Sequence, residues 1–311
     1  MQAAFIERHG GPEVLKFGEM PDPVAASGEV VVDIVAASVN GADWKVREGK
    51  SNQLSRFPYI LGRDFSGVVS ALGEGVSDLR VGDEVFGVCD VGQEGAYAEK
   101  IAIKAAIVAK KTASLSYLDA AALALAGLTA ICAIEDTLKL QAGETMLIQG
   151  GAGGVAGFAI QLAKYLGAYV ITTASAANAE YVRGLGADRA IDYNVEDFAN
   201  TVSGCDVVFD TVGDEVQVRS YGVLKPGGRL VWVAAAPPGF KPARTDVKVL
   251  RPAVSRDRAH LERIVALLNA GAVAPPPIVR YALADAAEAH RVSEGRHLRG
   301  KLVLEVRSGE A

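Results

Sequence analysis

Between Met146 and Lys164 the chain carries residues able to hold a pyrophosphate. Met146-Leu147-Ile148 closes an apolar strand, and Gly150, Gly151, Gly153 and Gly154 form a turn. Phe158, Ile160, Leu162 and Ala163 then supply the apolar content of a helix. Inside the turn, Gly151-Ala152-Gly153-Gly154-Val155-Ala156 fits the dinucleotide spacing G-x-G-x-x-G/A. The first glycine permits a tight turn, the second lets backbone approach the pyrophosphate, and the small Ala156 lets helix and strand pack closely. The helix start adds unpaired N–H groups and a positive dipole end. Gly151, Gly153, Gly154 and Val155 are therefore expected to bind a dinucleotide. Any glycine-rich loop can match the spacing by chance, and the strand-to-helix placement argues against that alternative.

NAD sites usually place an acid about 20 residues further on, for the ribose hydroxyls. Here the next strand ends in Thr172-Thr173-Ala174-Ser175, and the first acid after it is Glu180. A carboxylate would repel a 2′-phosphate, whereas the Ser175 hydroxyl can donate to one. Asn178 offers a second donor without a charge. The expected cofactor is NADPH, with NADH left open, and Ser175 is equally suited to capping a helix. Later strands end at Val212-Gly213 and Val233-Ala234, and carboxyl ends of parallel strands are where ligands sit in such sheets. Backbone groups there are expected to meet the ribose and carboxamide.

These residues need a scaffold. From Met1 to Leu118 the pattern is β-like, with strands at Val30–Val35, Gly67–Leu72, Asp83–Gly87 and Tyr97–Ile101 among Gly and Pro, as in a barrel. From Asp119 helix and strand alternate, with strands at Thr145–Ile148, Tyr169–Thr173, Arg189–Ile191, Val207–Asp210 and Arg229–Val233. Repeated βαβ units imply a doubly wound parallel sheet. The tail holds helices at Arg258–Ala270 and Ala284–Glu294, a Pro275–Pro277 connector and a strand at Lys301–Val306, without a further βαβ unit.

With 311 residues, half of them hydrophobic, the chain can bury a large core. A net charge of −5 gives no support to nucleic-acid or anionic-membrane binding. Cys89, Cys132 and Cys205 are far apart and form no C-x-x-C pair, so a reducing cytoplasm is expected. The N-terminus lacks the basic and apolar regions of a signal peptide, and the apolar stretch Ala120–Ile134 is short for a membrane span.

Further motifs occur in order along the chain. They are Ser38-Val39-Asn40-Gly41-Ala42-Asp43-Trp44-Lys45, Leu61-Gly62-Arg63-Asp64-Phe65-Ser66-Gly67, Val81-Gly82-Asp83-Glu84-Val85, Gly95-Ala96-Tyr97-Ala98-Glu99, Leu185-Gly186-Ala187-Asp188, Lys225-Pro226-Gly227-Gly228 and Gly300-Lys301-Leu302-Val303. With the glycine turn they resemble the medium-chain dehydrogenase/reductase superfamily, in its zinc-independent quinone oxidoreductase branch. The resemblance covers essentially the whole chain. It implies an α/β fold in which a Rossmann domain is inserted into a GroES-like β-barrel catalytic domain. The expected division is 1–118 and 256–311 for the catalytic domain and 119–255 for the Rossmann domain. It also implies a nicotinamide cleft between the domains and a homodimer, for which Asp246–Leu250 is a candidate edge strand.

The zinc enzymes of this superfamily carry a cysteine where this chain has Asn40, a Gly-His-Glu where it has Gly62-Arg63-Asp64, and a second cysteine near Leu125. Asn40, Arg63 and Leu125 are poor zinc ligands, so no metal is expected. His9, His260, His290 and His297 show no ligand spacing and are expected at the surface or in caps. Without a metal to polarise a carbonyl, the acceptor must already be electrophilic, as a quinone or a conjugated enone is. Proximity and orientation then matter more than a strong acid or base. By resemblance, Asn40, Asp43 and Lys45 form the catalytic floor, and Thr129, Tyr193 and Lys301 lie near the cofactor. Asn40 could bond the ribose or the substrate oxygen, and Lys45 could stabilise an enolate or quinol oxygen. An enoyl thioester reductase and a non-catalytic NADPH-binding protein stand as alternatives. A hydrolase is disfavoured, since no G-x-S-x-G elbow occurs.

Overall fold

The computed structural model describes residues 1–50, 54 and 56–307. They divide into two compact units, one drawn from residues 1–125, 256–266 and 275–307, the other from 126–255 and 267–274. The division runs through the helix Tyr117–Ile131 between residues 125 and 126, later than the expected 118/119 boundary. A continuous apolar helix has no composition break to mark such a point. Residues 267–274, at the end of the helix Arg258–Asn269 and just beyond it, belong with the second unit.

The second unit is built on a six-stranded parallel sheet. Its spatial order is Arg189–Asp192, Tyr169–Ala174, Thr145–Gln149, Cys205–Asp210, Leu224–Trp232 and Lys248–Leu250. In chain order this is 3-2-1-4-5-6, so the sequence reverses direction between the first and fourth strands, where doubly wound sheets bind dinucleotides. The strands are apolar because helices cover both faces of such a sheet. Leu147, Ile171, Val208 and Leu230 are buried in one of its cores.

The first unit centres on the 11-residue strand Glu29–Val39, whose run of β-branched residues suits a buried strand. One edge pairs with Asp64–Leu72, and register shifts between Val31/Val32 and Ile34/Ala36 bend it there. The other edge is shared, with Lys100–Lys104 pairing near the start and Lys301–Glu305 pairing near the end. The register Leu302↔Val39 brings Lys301 beside the end of the strand, at Asn40. A small sheet of Gln2–Ile6, Leu15–Glu19 and Tyr59–Ile60 completes this unit's strands with the seven-stranded sheet.

Two expectations need correction. The tail does contain a βαβ unit: Ile278–Ala282 lies parallel to Lys301–Glu305, with the helix Ala286–Glu294 between them. Its first strand has exposed Val279 and Arg280, so no apolar run announced it. The expected strand at Tyr97–Ile101 starts only at Lys100. Tyr97 instead bonds crosswise, its N–H donating to Leu61 O and its carbonyl accepting from Ala4 N. The helix through Tyr117–Leu138 has 22 residues and contains an 18-residue window of mean hydropathy 1.9, long and apolar enough to cross a bilayer, yet 94% of that window is buried in the protein.

Candidate active site and cofactor site

The glycine turn has the shape its sequence implies. Gly150 has φ +76°, a conformation that favours glycine. A Cβ on Gly151 would lie 2.3 Å from Thr172 Oγ1, so this glycine is required by packing alone. Gly153 differs: a Cβ there would meet only Gly150 O at 3.5 Å, an ordinary contact. Its small size is therefore free to serve an approaching ligand. Gly153 caps the helix Gly154–Tyr165, whose first-turn N–H groups, including those of Gly154 and Val155, have no partner within the helix. A polar layer sets the turn from below. Gly150 N donates to Thr173 Oγ1 at 3.1 Å, Thr173 Oγ1 donates to Gln149 Oε1 at 2.7 Å, and Gln149 Nε2 donates to Ser220 Oγ at 3.0 Å. The turn, cradle and helix start fit a dinucleotide.

At the carboxyl end of Tyr169–Ala174, Ser175 opens the short helix Ala176–Asn178, and Asn178 Nδ2 donates to Ser175 Oγ at 3.2 Å. Parallel pairing of Ala174 with Asp192 brings Tyr193 beside them, half-exposed at 49%. Ser175, Asn178 and Tyr193 thus lie just beyond the carboxyl ends of two neighbouring strands. Ser175 does not cap the short helix through its side chain.

Val212 and Gly213 are held by a residue that sequence reading passed over. The buried Asp210 carboxylate accepts from Val212 N at 2.9 Å and Gly213 N at 3.1 Å. Burial pushes its pKa up to about 6, opposed by those N–H groups. Val233 N donates to Asp210 O, and a Cβ on Gly213, at φ +80°, would strike Ala235 O and the Ala234 side chain. Val212, Gly213, Val233 and Ala234 are therefore neighbours at the sheet's carboxyl edge. Thr129 is buried at 8% exposure within Tyr117–Ile131.

In the first unit, Asn40 ends the long strand and caps the helix Gly41–Arg47. Its backbone N donates to Asp43 Oδ2 at 2.9 Å, one half of a capping box. Its amide is held at both ends. Nδ2 donates to Asp64 Oδ1 at 2.8 Å, and Oδ1 accepts from Lys301 Nζ at 2.6 Å. An ammonium only donates and an ionised carboxylate only accepts, so these partners fix which way the amide points. Lys301 Nζ also donates to Val39 O at 3.0 Å, and Asp64 accepts from Ser38 Oγ at 2.8 Å and Leu125 N at 3.2 Å. Burial lowers the Lys301 pKa and raises that of Asp64, and each charge partly offsets the effect through the other. Ser38 and Asn40 share one side of the strand by its period of two, a signal readable in sequence, as is an Asp opening an apolar strand at Asp64.

Asp43 departs from the catalytic role expected of it. Its side chain has 0% exposure, and Oδ2 also accepts from Tyr97 Oη at 2.9 Å. Burial lifts its pKa to about 6, with Arg63 opposing that shift. The Asp43 carboxylate is engaged inside the fold. Lys45 is half-buried, its ammonium 5.4 Å from the Trp44 ring centroid. His290 corrects a second expectation: it is fully buried, on the inner side of Ala286–Glu294. His260 lies by its helix start, with Nδ1 2.8 Å from Asp257 Oδ1.

The donor set does not fit zinc. Asn40 Oδ1 faces the Lys301 ammonium, Arg63 is itself a cation paired with Glu94 at 3.0 Å, and Leu125 is apolar. A metal cation at these residues would meet two fixed positive charges and no thiolate or imidazole.

Known proteins are similar to this chain in sequence and fold. Residues 26–113 match the alcohol dehydrogenase GroES-like domain, and residues 185–304 match the family described as zinc-binding dehydrogenase. The chain is 34% identical to an NADPH-dependent alkenal/one oxidoreductase of Arabidopsis thaliana, over 98% of this chain and 79% of that protein. Among solved structures, the quinone oxidoreductase from Coxiella burnetii aligns with a TM-score of 0.90 at 34% identity, covering 99% of both chains. The Escherichia coli quinone oxidoreductase complexed with NADPH aligns with a TM-score of 0.90 at 29% identity, over 98% of this chain and 100% of that one. The chain belongs to the medium-chain dehydrogenase/reductase superfamily, in its zinc-independent quinone oxidoreductase branch.

Proposed function

We propose that this protein is an NADPH-dependent reductase of quinones or α,β-unsaturated carbonyls. The observation that carries the reading is the floor at Asn40, where an amide clamped between Lys301 and Asp64 stands at a position that the zinc enzymes give to a metal ligand. Such a floor suits an acceptor that needs no Lewis acid. When bound, NADPH supplies the hydride. Gly151, Gly153, Gly154 and Val155 take the pyrophosphate. Ser175, Asn178 and Tyr193 take the 2′-phosphate end, and the absence of a carboxylate at Ser175 favours NADPH over NADH. Val212, Gly213, Val233 and Ala234 offer backbone groups to the ribose and carboxamide, with Thr129 close to that end.

Asn40 acts as an acceptor for an incoming hydroxyl, because its N–H donors face Asp64 and Ser38 while Oδ1 keeps a second lone pair beside Lys301. Lys301 orients that amide. Lys45 stabilises the oxyanion that forms as the acceptor is reduced. The protein works as a homodimer in a reducing cytoplasm, without nucleic-acid or membrane partners. Three buried free thiols and a net charge of −5 support that setting.

The test follows nicotinamide absorbance with NADPH or NADH and either 1,4-benzoquinone or 3-buten-2-one, corrected for the uncatalysed rate. Protein-dependent oxidation of NADPH, faster than of NADH, is expected. Binding of NADPH without turnover on either acceptor would overturn the reading.

A further inference from the structure

We propose that His290 positions the active-site residue Asn40 from the far side of a buried hydrogen-bond chain, a role that rests on the functional reading of Asn40 above. Arg47 Nη1 lies 3.1 Å from His290 Nδ1, and His290 Nε2 lies 3.2 Å from Tyr97 Oη. A guanidinium only donates, so Nδ1 is the acceptor and the ring proton sits on Nε2. His290 then donates to Tyr97, Tyr97 donates to Asp43 Oδ2 at 2.9 Å, and the same Oδ2 accepts from the Asn40 backbone N at 2.9 Å. Every donor in the row points the same way, toward Asp43. Its other end is anchored: Arg47 Nε donates to Gly10 O at 3.0 Å, and Arg47 Nη2 lies 2.7 Å from Glu294 Oε1.

Arg47, Asp43, Tyr97 and His290 all have 0% exposure, so water cannot replace a missing link. The Tyr97 and His290 rings also meet edge to face, with centroids 5.7 Å apart. An apolar side chain could fill the space, but it would leave Tyr97 Oη without its donor and Arg47 Nη1 without its acceptor. Tyr97 Oη would then hold the Asp43 carboxylate less firmly, with Arg63 Nε, 3.7 Å from Oδ1, as its other side-chain partner, and the cap that sets Asn40 at the strand end would loosen. The C-terminal helix thereby adjusts a residue 250 positions earlier in the chain.

The experiment compares His290→Phe, His290→Gln, Tyr97→Phe and the double variant His290→Phe/Tyr97→Phe in the full chain. It records kcat and KM for both substrates, and NADPH binding by fluorescence. In His290→Phe, kcat should fall roughly ten- to hundredfold while NADPH affinity stays within twofold, as expected for a displaced reacting group. Gln carries one donor and one acceptor and should restore most of the activity. The double variant should be no worse than the more damaged single one, because both break one chain. Equal kcat in His290→Phe and wild type would overturn the proposal, as would a loss that Gln fails to restore or strictly multiplicative losses in the double variant. A wild type that binds NADPH and turns over no acceptor would instead overturn the functional reading and the proposal with it.

Discussion

At the scale of single residues, the site separates groups that face a substrate from groups that hold them. Lys45 is proposed for the first kind, as the charge that steadies a reduced oxygen. Lys45→Ala should lower kcat roughly hundred- to thousandfold, the range in which one oxyanion-stabilising donor acts, with little change in NADPH affinity. Steady-state kinetics with the quinone check this, and an unchanged kcat removes Lys45 from the mechanism. His290 belongs to the second kind, and its burial has a pH signature. Burial first, and Arg47 second, hold its pKa down at about 3 against an ordinary 6.5. Below pH 6.5 the unfolded chain takes up a proton that the folded chain refuses. The stability from neutral His290 is therefore complete above pH 6.5 and is lost as pH falls toward 3, at no more than about 1.4 kcal/mol per pH unit. Asp43 works in the opposite sense, since its raised pKa makes stability fall as pH rises from 3.8 to about 6. The difference between wild type and His290→Gln cancels the Asp43 contribution. Urea unfolding at pH 7 and pH 5 should show wild type losing more stability than the variant, and parallel losses would contradict the buried neutral ring.

At the scale of elements, strand-to-helix junctions are proposed to do the binding, and two glycines two residues apart test which part serves the fold and which the ligand. Gly151→Ala drives a Cβ to 2.3 Å from Thr172 Oγ1, which itself donates to Ile148 O at 2.7 Å. That overpacking should cost about 1–3 kcal/mol and lower the Tm. Gly153→Ala meets nothing closer than 3.5 Å and should leave the Tm nearly unchanged while weakening NADPH binding roughly tenfold or more. Thermal melts with and without NADPH distinguish the two, and matching melts and affinities would refute the division. At the neighbouring junction, Ser175→Asp places a carboxylate where the 2′-phosphate is proposed to sit. The ratio of kcat/KM for NADPH to that for NADH should fall at least tenfold, and an unchanged ratio would move the phosphate elsewhere. These junctions were readable because glycine spacing, strand period and chain position all bear on the same few residues. The floor around Asn40 was readable only in part. Asn40 and Lys301 stood in motifs, but their meeting depends on the register Leu302↔Val39, and a pairing between strands so far apart in sequence leaves no local trace. His290 was misplaced for the same reason: a lone histidine in a charged helix carries no sign of Tyr97 and Arg47 waiting on distant segments.

At the scale of the whole molecule, the second unit's sheet raises the question of its edges. It ends at Lys248–Leu250, a three-residue strand that among the described residues pairs on one side only, with Leu224–Trp232. Val249 is 38% exposed there, and Lys248 is the only charge within the strand. An unpaired edge offers N–H and C=O groups to any other strand, and proteins protect it by charge, cover or pairing. One lysine on so short a strand is weak protection, and a two-fold axis beside it would let the strand pair with its own copy, antiparallel, joining two sheets. Such an isologous contact is closed and stops at two chains, as soluble homo-oligomers commonly do. Light scattering at micromolar concentration should therefore give twice the chain mass of 32.4 kDa. Val249→Pro removes one strand N–H and should shift the mass toward the monomer, with the NADPH site in each chain still able to bind. A monomeric wild type at that concentration would leave the edge guarded by Lys248 alone, and an unaltered dimer in Val249→Pro would place the contact on another surface.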